Sequence, residues 1–210
     1  MPLKILVTSD FHSREDLKEA AIKEANSGDY DLYLNLGDYM GVDYAEDLFD
    51  RIDIPGLGTT GNRDLIEDRQ LIDNAPVFHF LEADIDEEYL LILIGGDFPE
   101  DVREQVMELI EEHEDSSKVI VGSHYPPLKV GDRMHNGERI GFEQFREIIL
   151  KEKPALWMNG HVHEDFGQRE LMGTTVLNAA ADETGKAFSV TIGDEGGVKK
   201  VEEINLVGED

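Results

Sequence analysis

The stretch KILVTSDFHSREDLKEAAIKEANSG, residues 4–28, decides how the whole chain is read. Lys4 to Thr8 reads as a buried strand, its centre Ile5 to Val7 aliphatic without polar alternation. Ser9 to Ser13 is a polar turn, and a helical stretch follows to Asn26, with Ser13 and Asp16 spaced as a capping box and Gly28 just past the end. The same unit then repeats: Leu32 to Leu36 is apolar and ends in Gly37-Asp38, and a helical segment from Asp43 to Arg51 leads to Ile54, Gly61 and Asn62. Strands alternating with helices predict an α/β core with parallel strands.

The pattern continues outward. Strands are expected at Val77 to Leu81 and Tyr89 to Ile94, and a helix over Glu100 to Glu112 carries Val102, Val106, Leu109 and Ile110 on one face. Val119 to Gly122 is a strand stopping at Ser123-His124. A loop from Pro126 to Gly141 precedes an amphipathic helix marked by Phe142, Phe145 and Ile149, and Ala155 to Met158 is a strand running into Gly160-His161. From Thr174 the period changes to two, over Thr174 to Leu177, Ala187 to Ile192 and Val198 to Ile204, with turn residues Gly193 and Gly196-Gly197; these predict an antiparallel edge. No linker, repeat or low-complexity tract intervenes, so residues 1–210 read as a single domain.

Composition narrows the function. The 210 residues, 40% hydrophobic, suffice for a core. Forty-seven acidic against 19 basic residues give a formal charge of −28, which disfavours coating of nucleic acid or anionic membranes. With no cysteine, disulfides, thiolate metal sites and a cysteine nucleophile are excluded, and any metal must take oxygen or imidazole. Apolar runs such as Leu90 to Ile94 fall far short of the ~18 residues of a membrane span, and Thr8, Ser9 and Asp10 interrupt any signal-peptide core, so a soluble cytoplasmic protein is expected. The charge fits either a salty cytoplasm, where a screening length of roughly 3 Å at ~1 M salt removes self-repulsion, or a merely acidic protein.

Sites in open α/β sheets lie beyond the carboxyl ends of the strands. Five such ends here carry Asp10 and His12, Asp38, Asn62, His124, and His161 with His163. Residues two apart in extended chain point the same way, so each pair can act as a two-toothed ligand. Two carboxylates, an amide and imidazoles from three loops exceed a single tetrahedral site and suit two cations sharing a carboxylate.

Asp10-Phe11-His12, Gly37-Asp38, Gly61-Asn62-Arg63-Asp64, Ser123-His124 and Gly160-His161-Val162-His163 together resemble the ordered signature of the calcineurin-like metallophosphoesterases, over residues 10–163. The resemblance implies a four-layer α/β/β/α sandwich of two mixed sheets flanked by helices. It puts Asp10, His12 and His163 on one cation, Asn62, His124 and His161 on the other, and Asp38 between them. Two divalent ions would fill such a site, Mn²⁺ first, with Fe, Ni, Co or Zn as alternatives. The implied reaction is hydrolysis of a small phosphate ester by a metal-bridging hydroxide.

Arg63 departs from the pattern, since many members carry a His there that protonates the leaving group. An arginine cannot give up its proton near neutrality but can hold a phosphate oxygen. The expectation is therefore a phosphodiesterase rather than a monoesterase, with Asp38, Arg63 and Asp64 as catalytic residues, and His135 or a metal-held water as the source of any proton. Asp64 can orient Arg63 or cap a helix over 65–73. The loop 129–139 offers Arg133 and His135 as further substrate contacts. Asn178, His79 and His113 read as structural. Two other functions stay open: a protein-interaction scaffold of the same fold, as in the retromer subunit, and a nuclease acting on short single strands.

Overall fold

The computed structural model describes residues 1–64, 73–113 and 115–207; the helix expected over 65–73 falls almost wholly outside them. The described residues form two six-stranded sheets. In the first, β1 (Leu3–Thr8), β2 (Leu32–Asn35), β3 (Gly56–Thr59) and β4 (Val77–Phe78) run parallel in that order, and β11 (Lys186–Ile192) and β12 (Val198–Asn205) add antiparallel beside β1. In the second, β6 (Tyr89–Ile94), β7 (Val119–Ser123), β8 (Leu156–Asn159) and β10 (Thr174–Asn178) are parallel neighbours, edged antiparallel by β5 (Phe80–Ile85) and β9 (Gly167–Leu171).

The residue pattern explains the layering. Along β1, Leu3, Ile5 and Val7 meet Tyr89, Leu91 and Leu93 of β6 in a core between the sheets, while Leu6 faces α1 (Glu15–Ser27) and α2 (Val42–Asp50). On the other side Leu90, Ile92 and Ile94 pack under α3 (Val102–His113) and α4 (Glu143–Glu152) through Val106, Ile110, Phe145 and Ile149. Both faces of each central strand are thus buried, which is why Ile5 to Val7 and Leu90 to Ile94 read as unbroken aliphatic runs. At about 25 cal/mol per Å² of apolar surface, these three cores hold the fold, each fully buried Leu or Ile being worth about 1.5–3 kcal/mol. The result is the expected four-layer α/β/β/α sandwich.

Three local expectations are corrected, and one strand is added. Ser13 does not cap α1, because its hydroxyl donates to the carbonyls of Tyr39 and Met40, and Asp16 pairs with Arg14 instead. The run Val77 to Leu81 is two strands in different sheets: the chain crosses over at His79, whose carbonyl accepts from Gly95 N–H and whose Nδ1 lies 3.0 Å from Thr60 Oγ1. Only β11 and β12 form the antiparallel edge of the first sheet; β10 lies inside the second, parallel to β8. Last, β9 went unread, because Gln168, Arg169 and Glu170 leave no apolar face on this solvent-exposed edge.

Candidate metal centre

Strand register brings the loops together. Ile94, Ser123, Asn159 and Asn178 lie in one row across the second sheet, and Thr8 pairs with Asn35 in the first, so the segments after these residues all leave at the same rim. Backbone bonds then tie loop to loop: Asp10 N–H donates to Gly37 C=O, His12 N–H to Asp38 C=O, and Gly160 N–H to His124 C=O. Across the sheets, His161 N–H donates to Asp10 Oδ2 at 2.8 Å.

The side chains converge as two groups that share Asp10. Asp10, His12 and His163 form one; Asp10, Asp38 and His124 form the other, with ligand atoms within 4.8 Å of one another in each. Asp38 spans both: its Oδ2 is 3.2 Å from His12 Nε2 and its Oδ1 is 3.7 Å from His124 Nε2. His163 Nε2 lies 3.3 Å from Asp10 Oδ1. Asn62 Oδ1 is 2.9 Å from His124 Nε2, and the His161 ring lies 5.1 Å from that of His124. The seven residues expected from the strand ends are therefore assembled at one place.

The donor set suits cations. His124 Nδ1 lies 2.9 Å from the Leu36 carbonyl, which can only accept, so Nδ1 carries a proton and Nε2 is the ring nitrogen turned toward the centre. Nε2 faces the oxygens of Asn62 and Asp38, so one imidazole nitrogen and two oxygens are gathered as a donor set that a cation can take. Asp10, His12, Asp38 and His161 also hold positive φ (57°, 48°, 59° and 71°), a conformation costing of order 1–3 kcal/mol for such residues and common where side chains are aimed for function. Two glycines make room. A Cβ on Gly61 would stand 2.1 Å from Asp38 Oδ1, and one on Gly160 would stand 2.3 Å from Asp10 Oδ2.

Comparison with known proteins agrees with this geometry. The family model described as calcineurin-like phosphoesterase matches residues 3–165, a span containing every residue of the cluster. The chain belongs to the calcineurin-like phosphoesterase family. Among solved structures it is similar to TT1561 of Thermus thermophilus (17% identity, TM-score 0.73, 99% of this chain and 100% of that one). It is also similar to a protein described as a novel archaeal phosphodiesterase (18% identity, TM-score 0.54, 96% and 99%). Both likenesses are of fold. In sequence, 46 residues are 39% identical to UPF0046 protein T07D4.2 of Caenorhabditis elegans, covering 21% of this chain and 12% of the length of that relative.

Within this phosphoesterase family member the electrostatics follow from burial and neighbours. Burial pushes the Asp10 carboxyl up, but the His163 and His124 imidazoles outweigh it and hold it well below the usual carboxylate range. Burial, followed by the like charge of His124, pushes His161 down to about 4, which keeps that ring neutral and ready to ligate. The contact with Asp10 raises His163 against the opposing effect of burial.

The remaining expected residues separate. Arg63 donates its backbone N–H to Asp38 Oδ1, and its largely exposed side chain places Nε 3.9 Å from Asp38 Oδ2, at the mouth of the centre. Asp64 forms no ion pair with Arg63 among the described residues. Its buried carboxylate accepts from the backbone N–H groups of Asp38, Gly61 and Met40, so it braces the loops that carry Asp38 and Asn62. Burial raises its carboxyl in spite of these bonds. Arg133 and His135 make no hydrogen bond or ion pair with any of the seven among the described residues: Arg133 turns into a neighbouring cleft, and His135 lies 3.6 Å from Glu183. Asn178 ties loops together, its amide donating to Val162 and Gly131 carbonyls.

Two residues escaped the reading of the sequence. Asp182 Oδ2 stands 3.4 Å from His12 Nδ1 and 3.6 Å from His163 Nδ1, so one carboxylate sits behind two imidazoles and turns both Nε2 atoms inward. Tyr125 walls the other side, its ring 5.1 Å from His124 and 4.7 Å from His161. Tyr125 directly follows His124 and carried a position signal; Asp182, 19 residues beyond His163, carried none.

Proposed function

We propose that residues 1–210 form one domain acting as a dinuclear metal-dependent phosphodiesterase on a small phosphate ester. The observation that carries this reading is Asp38, whose two oxygens face opposite imidazoles, His12 on one side and His124 on the other. Asp10, His12 and His163 would hold one ion, Asn62, His124 and His161 the other, with Asp38 shared. When bound, such ions polarise phosphoryl oxygens and bring the pKa of a water toward neutrality. Mn²⁺ is the first choice for this mixed oxygen and imidazole set, with Fe, Co, Ni and Zn as alternatives.

The protein's own groups supply the rest. Asp182 fixes the faces of His12 and His163, and Asp64 fixes the backbone under Asp38 and Asn62. Arg63 at the mouth is placed to hold a nonbridging phosphate oxygen through its guanidinium fork, and it delivers no proton. Without a protonating side chain at that position, a diester with a good leaving group is favoured over an alkyl monoester.

Metal analysis of purified protein, paired with diester and monoester hydrolysis with and without Mn²⁺, tests this reading. The expected result is about two ions per chain, metal-dependent turnover of diesters, and rates that rise steeply as leaving-group pKa falls. An Asp38→Ala protein retaining two bound metals and turnover would overturn it.

A further inference from the structure

In a chain so rich in carboxylates, basic side chains are usually neutralised at once. Lys18 touches Glu15 and Asp47; Arg51 touches Glu19 and Asp47; Arg103 touches Glu104 and Glu147; Lys151 touches Glu111 and Glu152. Lys4, Lys23, Lys153 and Lys199 have no ion pair among the described residues, but one concavity gathers several such cations. A cleft of about 520 Å³ between the loop 126–142, α4 and β9 is lined by Lys129, Arg133, Arg139, Arg146 and Arg169, five of the 19 basic residues, and by none of the seven residues of the metal centre.

Two of the five are spoken for: Arg139 pairs with the buried Asp132, and Arg169 with Asp165 at 2.7 Å. Lys129, Arg133 and Arg146 have no carboxylate partner among the described residues. Arg146 donates one Nη1–H to Leu128 C=O at 3.2 Å, and Arg133 donates only its backbone N–H, to Asp165. Glu170 is the one unpaired acid of the lining, so two positive charges stay uncompensated. The loop is built to hold this state: Lys129 sits at φ 66°, with its N–H donating to Asp132 Oδ2 at 2.7 Å, and Gly131 follows at φ 65°.

Unpaired cations gathered in one concavity repel one another and raise the local potential above that of the surrounding acidic surface, and an anion taken up there relieves the repulsion. Guanidinium forks match phosphate oxygens bidentately, and a dianion neutralises the excess where a single carboxylate would not. We propose that this cleft binds a multiply charged phosphate group, at a place separate from the metal ligands. The site does not depend on the catalytic reading above, because none of its residues is a metal ligand. The phosphate group can belong to a distal part of a substrate or to a separate effector.

Pyrophosphate is the probe, titrated calorimetrically into full-length protein freed of metal by chelation, at low salt. Saturable one-to-one binding is expected. The Arg133→Gln/Arg146→Gln double variant should lose at least tenfold in affinity, and Asp38→Asn should bind as wild type does. The Lys129→Gln protein, altered only at an exposed side chain, gives a second measure if the double variant does not fold, and should bind more weakly than wild type. Wild type without saturable binding at millimolar pyrophosphate, or a folded double variant binding as wild type does, overturns the proposal. Kinetics of the metal-loaded enzyme then assign the source. If the phosphate belongs to the substrate, the double variant raises KM for a phosphate-extended diester at least tenfold more than for a plain one; if it is an effector, pyrophosphate changes turnover of the plain diester in wild type and not in the variant.

Discussion

Replacing Asp182 by Asn removes a negative charge from behind two imidazoles while keeping the side chain's size. In the wild-type protein Oδ2 lies 3.4 Å and 3.6 Å from the Nδ1 atoms of His12 and His163, both in the group containing Asp10, and makes no such contact with His124 or His161. Loss of a carboxylate behind a ligating histidine typically weakens metal binding 10–100-fold, about 1.4–2.7 kcal/mol. Asp182 is partly open to solvent, which screens its charge, but it serves two rings at once; a loss near the middle of that range is expected. The effect should also be one-sided. Competition of Mn²⁺ between the protein and a chelating dye should resolve two affinities, of which one falls in Asp182→Asn and the other, proposed to lie at Asn62, His124 and His161, changes by less than about twofold. Equal weakening of both, or of neither, would refute the orientation argument. A thermal melt of the metal-free variant guards against a trivial explanation, since Asp182 also pairs with Arg14.

Gly160→Ala should cost about 1–3 kcal/mol by overpacking, because its Cβ would press on Ser9 Oγ and Asp10 Oδ2, and it should lower metal content with it; unchanged metal binding in circular-dichroism-matched protein would argue against this close approach. In metal-free protein His161 titrates near 4 when folded against 6.5 when unfolded, so the unfolded chain takes up the proton first and stability is lost as pH falls from about 6.5 toward 4. His163, raised on folding, works in the opposite sense: its contribution is full below 6.5 and fades as pH rises through its folded value. Urea melts of His161→Asn and His163→Asn across this range should therefore diverge from wild type in opposite directions, and parallel curves would contradict both assignments. If the charge of −28 reflects a salty cytoplasm, the melting temperature should climb steadily from dilute buffer to molar KCl, whereas a flat profile removes that idea.

Much of the site could be read directly because its chemistry sits at the ends of aliphatic runs. Leu3–Thr8, Leu32–Asn35, Val119–Ser123 and Leu156–Asn159 are strands buried on both faces, and such strands have to be apolar throughout; the polar residues that follow each run therefore stand out. Side-chain period and loop position are local properties, and local properties survive in a linear sequence. They determined the α/β class, the loops carrying Asp10, Asp38, Asn62, His124 and His161, and the chemical type of the donors.

Which sheet a strand joins is decided by long-range pairing. That is why the run at Val77 to Leu81 divides at His79 between two sheets, and why β10 lies parallel inside the second sheet in spite of its alternating pattern. Asp182 behind His12 and His163, Asp64 beneath Asp38, and the three cations of the α4 cleft without a carboxylate partner among the described residues arise from contacts between segments distant in the chain. Sequence spacing brought forward the candidate donors and their order along the chain; packing of the two sheets decided which carboxylate stands behind which imidazole, because that depends on distances of 3 to 4 Å across the fold that no local pattern encodes.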